Sequence, residues 1–236
     1  MVNTSRRHSR LVRAGAAFVL LLVGALAMAH NVDKADQAFL MSNTGLQIVP
    51  FIYLGAKHMV TGYDHLLFLV GVIFFLYRLK DVALYVTLFA IGHSVTLLAG
   101  VLSGLHVNPY VIDAIIGLSV VYKAFDNLDG FRTLFGFRPE PRLAVLVFGF
   151  FHGFGLATKL QDLALSQDGL VPNMLAFNIG VEIGQFLALG AILLIMNFWR
   201  STASFLRHAY VTNVLLMTAG FVLAGHQLAG YAFSLP

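Results

Sequence analysis

Cysteine is absent from the 236-residue sequence, and its absence removes two kinds of chemistry. No disulfide can form, and no metal ion can be held by a thiolate. Any metal site in this chain must therefore use histidine, carboxylate, methionine, amide or hydroxyl groups.

Charged residues are also scarce. They make up 11% of the chain, whereas a soluble domain usually carries about 25%. Hydrophobic residues make up 58%, and the mean hydropathy is +0.81. The net charge of +4 does not indicate a nucleic-acid partner, because the basic residues lie in short segments between apolar runs. The composition predicts an integral membrane protein surrounded by lipid.

The first 29 residues have the three parts of a secretory signal peptide. Four arginines precede an apolar run over residues 14–26, and Ala27-Met28-Ala29 forms a small-residue cleavage site. Cleavage would make His30 the first residue, and its free amine and imidazole could together chelate a metal ion such as copper. The alternative is an uncleaved anchor, which would give seven hydrophobic segments. Residues 30–45 are polar and predict a short exposed segment.

Six apolar stretches follow, and each is near the ~20 residues that a bilayer requires. They cover residues 61–79, 82–102, 109–125, 143–160, 171–199 and 210–232. Residues 46–57 are apolar but too short to cross, so they predict an interfacial or partly inserted helix that leads into the first span. The predicted fold is all-α: a polytopic bundle of six transmembrane helices in one domain, residues 46–236.

The distribution of basic residues predicts the orientation of this bundle. Lysine and arginine are concentrated after the first, third and fifth spans and are sparse after the others. The positive-inside rule places the basic loops in the cytoplasm, so the mature N-terminus lies outside, as a cleaved signal peptide requires. We expect a multi-pass protein of a bacterial inner membrane.

The main candidate for a functional site is the motif His58-x5-Asp64-His65, at the start of the first predicted span. Ionisable groups are expensive in hydrocarbon, so an intramembrane Asp-His pair is a functional-site candidate by default. His58 and His65 are seven positions apart, about two helical turns, and a continuous helix would place both on one face. Asp64 would then point about 100° away from His65, towards a neighbouring helix.

Three more ionisable residues occupy similar depths in other spans, which a shared cavity would explain. Imidazole and carboxylate groups without thiolates suit nickel, cobalt, zinc or copper better than calcium or magnesium. A proton relay uses the same residue types, so the residues alone leave metal and proton chemistry open. The predicted metal ligands are His58, Asp64, His65, His93, His152 and Glu182.

Other polar residues in the spans are expected to support these ligands. Asn178, Glu182 and Gln185 fall on one face of the fifth span at i, i+4 and i+7. We expect Asn178 and Gln185, together with Ser94 and Thr96, to hydrogen-bond the ligands. A histidine in a span can also be purely structural and bond a neighbouring helix.

Two pairs of glycines predict close helix contacts. Gly180 and Gly184 lie roughly opposite the polar face of the fifth span, and Gly149 and Gly153 form a second G-x-x-x-G stripe in the fourth. The histidines at span ends are expected to be solvated, and an aspartate near a span boundary has no assigned role. These residues are His106, His208, His226 and Asp113.

Four linked motifs resemble the HupE/UreJ family of membrane proteins, in its second branch. They are His58-x5-Asp64-His65-Leu-Leu-Phe-Leu, Gly92-His93-Ser94-Val-Thr96-Leu, Phe148-Gly-Phe-Phe-His152-Gly-Phe-Gly-Leu-Ala157 and Phe177-Asn178-Ile-Gly-Val-Glu182-Ile-Gly-Gln185. HupE-type proteins are associated with nickel supply to hydrogenase and urease, and the H-x5-D-H motif is implicated in that uptake. The resemblance therefore implies handling of a transition metal, nickel or cobalt. One departure is that no cytosolic histidine-rich tail or loop, which would favour delivery to a maturation factor, is visible.

We therefore expect a transporter or permease for a divalent transition metal, with no catalytic residue. One alternative is an intramembrane metal-dependent hydrolase, since Ser94 stands beside His93 and a bound metal could activate water. Another is a membrane accessory factor for metalloenzyme assembly, acting with a maturation partner. A homo-oligomer is compatible with all three functions.

Overall fold

A computed structural model describes residues 36, 38–40, 44–162 and 168–234. The predicted signal peptide and His30 lie outside the described residues. In the described part, all regular secondary structure is helical. The helices are α1 (Ile48–Thr61), α2 (Tyr63–Ile73), α3 (Leu79–Ser103), α4 (Pro109–Asn127), α5 (Gly130–Phe135), α6 (Pro141–Gln161), α7 (Leu170–Arg200) and α8 (Ser204–Ser234).

The first predicted span is two helices rather than one. A single helix over residues 61–79 was wrong, because α1 ends and α2 begins on either side of Gly62. Gly62 has φ −71° and ψ 100°, an extended conformation that interrupts the helix. Helix α1, which was expected as an interfacial or partly inserted helix, packs along α7. Its position relative to a membrane stays a prediction.

Among the residues that the structure describes, four helices are long and apolar enough to cross a membrane: α3, α6, α7 and α8. Helix α4 has 19 residues but includes Asp113, Lys123 and Asp126, which lower its hydropathy. Helices α1 and α2, with 14 and 11 residues, are each too short. The described part of the chain is thus all-helical and typical of a membrane protein, and the count of six spans stays a prediction.

Three helix pairs make the most extensive contacts: α3 with α6, α4 with α8, and α1 with α7. Gly149 and Gly153 of α6 lie against the backbone of α3, and Gly180 and Gly184 of α7 lie against α1. A side chain at any of the four would meet a carbonyl oxygen of the partner helix at less than van der Waals distance. Both predicted glycine stripes are confirmed as helix contacts.

The short helix α2 ends inside the bundle, where side chains from α4 and α7 bond its last carbonyls. Asn127 Nδ2 donates to the Gly71 carbonyl at 2.9 Å. The Arg200 guanidinium donates to two carbonyls, one of them that of Phe74 at 2.9 Å. A helix leaves its last four carbonyls without intrahelical partners. These contacts therefore fix the position of α2, which carries the central Asp-His pair.

The segment before α1 is less exposed than its polar sequence predicted. Leu40 is buried in the apolar core, and Asp36 forms an ion pair with Lys57 of α1 at 2.8 Å. The described residues of this segment are thus attached to the bundle.

Candidate metal centre

Four histidines from four helices meet inside the bundle. His65 of α2 lies at their centre. Its ring centroid is 5.2 Å from that of His58 in α1, 6.0 Å from that of His93 in α3, and 4.9 Å from that of His152 in α6. We refer to these four residues together with Asp64 as the histidine cluster. The structure thus brings together five of the six ligands predicted from the sequence.

Asp64 orients His65. Its Oδ1 atom lies 3.1 Å from His65 Nδ1, so the expectation that Asp64 points away from His65 was wrong. The break at Gly62 places both residues in the first turn of α2 instead of in the middle of a continuous helix. A ligand atom of Asp64 also lies within 4.8 Å of one of His152, so the carboxylate is near the neighbouring helix α6, as expected. A carboxylate beside Nδ1 keeps the proton on that nitrogen and leaves the lone pair on Nε2. This arrangement is typical of histidines that bind metals.

Ser119 of α4 fixes His152 from the other side, and sequence reasoning missed it. The Ser119 hydroxyl donates to the Ile116 carbonyl at 2.6 Å and lies 3.3 Å from His152 Nε2. A hydroxyl has one proton to donate, so here it accepts the proton of Nε2–H, which leaves the His152 lone pair on Nδ1. The sequence offers only a weak indication of this role, namely that Ser119 is the one serine in the predicted span over residues 109–125.

The cluster is shielded from solvent by aromatic rings. His93 and His152 are each 1% exposed. Phe68 and Phe89 lie against His152, with ring centroids 5.4 and 5.0 Å away. Within the part of the chain that the structure describes, neither nitrogen of His93 has a hydrogen-bond partner. Leaving a buried polar group unsatisfied costs about 1–3 kcal/mol, so packing alone does not account for a nitrogen-lined centre.

Three members of the cluster are close enough to share one ion. One ligand atom from each of Asp64, His65 and His152 lies within 4.8 Å of the other two. Metal–nitrogen bonds at histidine sites are about 2.0–2.1 Å long, so modest side-chain rotations would close the set around an ion. His58 and His93 flank His65 and offer further imidazole ligands.

The sixth predicted ligand, Glu182, is not brought to the cluster. It is exposed and lies between α7 and α3. The cause is the helical phase of α7. Glu182 is two residues from Gly180 and from Gly184, about 200° around the helix, so the glycine face that packs on α1 turns Glu182 away from His58.

Four residues were predicted to hydrogen-bond the metal ligands, and they instead form hydrogen bonds between helices. They are Asn178, Gln185, Ser94 and Thr96. Asn178 Nδ2 donates to Ser94 Oγ at 2.8 Å. Gln185 Nε2 donates to a carbonyl of α3 at 3.2 Å, and Thr96 Oγ1 donates to a carbonyl of α6 at 2.7 Å. These contacts hold α3 between α6 and α7, and so position His93 indirectly.

Asp113, for which no role was predicted, forms an ion pair with a residue of α6, the helix that carries His152. Its Oδ2 atom lies 2.9 Å from Nζ of Lys159, so the pair joins α4 to α6. Asp113 is 4% exposed, and Lys159 lies two helical turns beyond His152. The three histidines at span ends, His106, His208 and His226, are exposed as expected.

The comparisons with known proteins give one match. A family model described as HupE / UreJ protein matches residues 34–235. No curated protein matches the chain, and neither does any solved structure. The matched range includes the whole histidine cluster.

Proposed function

Because the chain belongs to the HupE/UreJ family, we propose that it is a membrane permease for a divalent transition metal, with nickel and cobalt as the first candidates. The observation that supports this function is the cluster of four buried imidazoles around His65, with a carboxylate on one of them. Imidazole and carboxylate ligands also bind copper and zinc, so the choice among these metals needs measurement.

The cluster is arranged so that its imidazoles offer lone pairs to a cargo ion. Asp64 holds the Nδ1–H of His65, and Ser119 holds the Nε2–H of His152. The remaining nitrogens, together with a carboxylate oxygen of Asp64, are then the metal ligands. Transfer of the ion between adjacent imidazoles about 5–6 Å apart keeps it coordinated at every stage. This matters because a bare charge in hydrocarbon is expensive.

The helix break at Gly62 gives the cluster a hinge. His58 lies before the break and His65 after it, and only His58 is partly exposed. Discontinuous helices frame the ion sites of many transporters, where half-helices shift relative to each other. In this proposal the ion meets His58 first, and movement of α1 relative to α2 passes it to His65.

The proposed topology has six crossings, with α1 and α2 together forming the first. Lysine and arginine residues are concentrated in the connections α2–α3 and α4–α6, and at the helix ends that flank these two and the α7–α8 connection, so the positive-inside rule assigns all three to the cytoplasm. These residues are Arg78, Lys80, Arg132, Arg138, Arg142, Arg200 and Arg207. The mature N-terminus then lies outside a bacterial inner membrane. Uptake would run from the His58 side of the break towards these connections.

Metal uptake by cells tests the proposal against its two alternatives. Cells without their own nickel and cobalt importers would express the wild-type chain, His65→Ala or, as a matched control, His226→Ala. We expect the wild type and the control to raise cellular metal equally, and His65→Ala to leave it at background. Equal accumulation by His65→Ala and wild type would contradict a permease that uses the cluster.

The alternatives differ in what the purified protein does. An accessory factor for metalloenzyme assembly would bind metal but would not carry it into proteoliposomes. A metal-dependent hydrolase would turn over a substrate with metal-activated water. The serine considered for it, Ser94, accepts a hydrogen bond from Asn178 at the side of the bundle. Metal flux into proteoliposomes that depends on His65 would support transport over both.

A further inference from the structure

A second polar site lies on the side of the bundle, in a groove of about 310 Å³ between α3 and α7. Thr87 and Ser94 of α3, and Glu182 and Gln185 of α7, line it together with apolar side chains. These four residues offer only oxygen and amide groups and no imidazole. Their chemistry therefore differs from that of the histidine cluster.

Glu182 lies at a depth in the membrane where an exposed carboxylate without a bound ligand is unfavourable. It lies about 18 Å along α7 from Leu170 and about 27 Å from Arg200, at 1.5 Å per residue. The hydrocarbon core of a bilayer is about 30 Å thick, so a helix that crosses it holds Glu182 within that core. A carboxylate exposed there is expensive unless it takes up a proton or a cation.

Gln185 supplies an independent sign of a missing ligand. The side chain is 2% exposed, and its Nε2 donates to the Val86 carbonyl. Its Oε1 is buried and has no hydrogen-bond partner among the described residues. Ser94 Oγ accepts a hydrogen bond from Asn178 and keeps a second lone pair. Unused oxygen acceptors thus stand on both walls of the groove.

Glu182 is the one ionisable side chain among the residues that line this groove. Four helices pack against α7. Of their histidines, His58 of α1, His65 of α2 and His93 of α3 belong to the cluster. The two histidines of α8, His208 and His226, are outside the lining. No described neighbour in the groove therefore offers Glu182 a fixed positive charge.

We propose that this groove binds a hard monovalent cation, Na⁺ or a proton, on the carboxylate of Glu182. Gln185 Oε1 and the hydroxyls of Ser94 and Thr87 are the further oxygen donors, a set that suits hard cations and not the metals of the cluster. The suggestion that this cation drives metal uptake rests on the proposed function, whereas its binding does not. Ser94 follows His93 directly in α3, so the same helix carries a residue of each site.

Labelling of the full-length protein in detergent with a hydrophobic carbodiimide tests the proposal. Such reagents react with protonated carboxyl groups in apolar surroundings, and mass spectrometry locates the product. The sequence contains two glutamates. Glu140 lies in the connection before α6 and is exposed, so it is the internal reference. Labelling would be followed in NaCl and in choline chloride of equal ionic strength, and across the neutral pH range.

We expect Glu182 to be labelled and Glu182→Gln to lose that product. If Na⁺ is the ligand, NaCl but not choline chloride protects Glu182. By mass action, labelling then falls about tenfold at a Na⁺ concentration about ten times the Kd, and Gln185→Leu weakens the protection. If the proton is the ligand, labelling of Glu182 is the same in NaCl and in choline chloride, and raising the pH changes its ratio to the labelling of Glu140.

The proposal is overturned if Glu182 is not labelled, or if neither Na⁺ nor pH changes its labelling relative to that of Glu140. No transition metal is present in this experiment. Its failure is therefore distinguishable from a failure of metal transport.

Discussion

Replacing Gly62 with alanine should weaken metal binding while leaving the fold intact. A Cβ at this position would lie 2.7 Å from His65 Nδ1 and 3.1 Å from Asp64 Oδ1. Non-bonded contacts to carbon are normally about 3.5 Å or longer. The His65 ring would therefore have to move by about 0.8 Å, and it would lose its hydrogen-bond geometry with Asp64.

The magnitude follows from which part of the site is disturbed. Gly62 has φ −71°, which alanine adopts freely, so the helix break should persist without backbone strain. Loss of an outer partner that orients a ligand typically costs about 10–100-fold in metal affinity. We expect Gly62→Ala to bind nickel or cobalt about 10–100-fold more weakly, with little change in melting temperature.

The assay is metal titration of the purified protein by competition with a chelating dye. Gly190→Ala is the matched control, because an added Cβ in α7 at that position meets no atom within 4 Å. The control should bind as the wild type does. Gly62→Ala with wild-type affinity and a wild-type melting temperature would show that the position of His65 is not important, and would refute the reasoning.

Three further predictions follow from other contacts of the cluster. His93→Leu removes buried nitrogens without hydrogen bonds, so it should raise stability by about 1–3 kcal/mol in thermal melts while metal binding falls; a lower melting temperature would show that His93 is structural. Lys159→Met leaves Asp113 without its cation and should destabilise the protein by about 3–5 kcal/mol. Adding Asp113→Asn should recover much of that loss, and no recovery would mean that the pair is not the cause. Ser119→Ala should lower metal affinity about tenfold, and an unchanged titration would exclude its role in orienting His152.

The lengths of the apolar stretches in the sequence predicted most of the helices well. The predicted span over residues 143–160 is α6, Pro141–Gln161. Its start is marked by a proline at the first helical position, a favourable place for this residue. The first span was predicted as one continuous helix because a single glycine does not by itself end a helix. The extended conformation of Gly62, with φ −71° and ψ 100°, is not apparent from the sequence.

The histidines of the candidate site were predicted from the sequence, but the position of Glu182 and the role of Ser119 were not. The motif histidines were identified because ionisable residues are rare in apolar spans. Glu182 satisfied the same criterion but faces a groove at the side of the bundle, since the rotation of α7 is set by its glycine contacts with α1. Ser119 was missed because a lone serine in a span carries little information until its partner, His152, is known.

X-ray absorption at the metal edge of the purified, nickel-loaded protein tests the central claim most directly. Wild type and His226→Ala should each hold nickel with the scattering signature of several imidazole ligands. His65→Ala, which removes the ring that contacts the other three, should lose the metal or most of that signature. The same nickel content and the same imidazole scattering in His65→Ala as in the wild type would contradict the assignment of the histidine cluster as the metal centre.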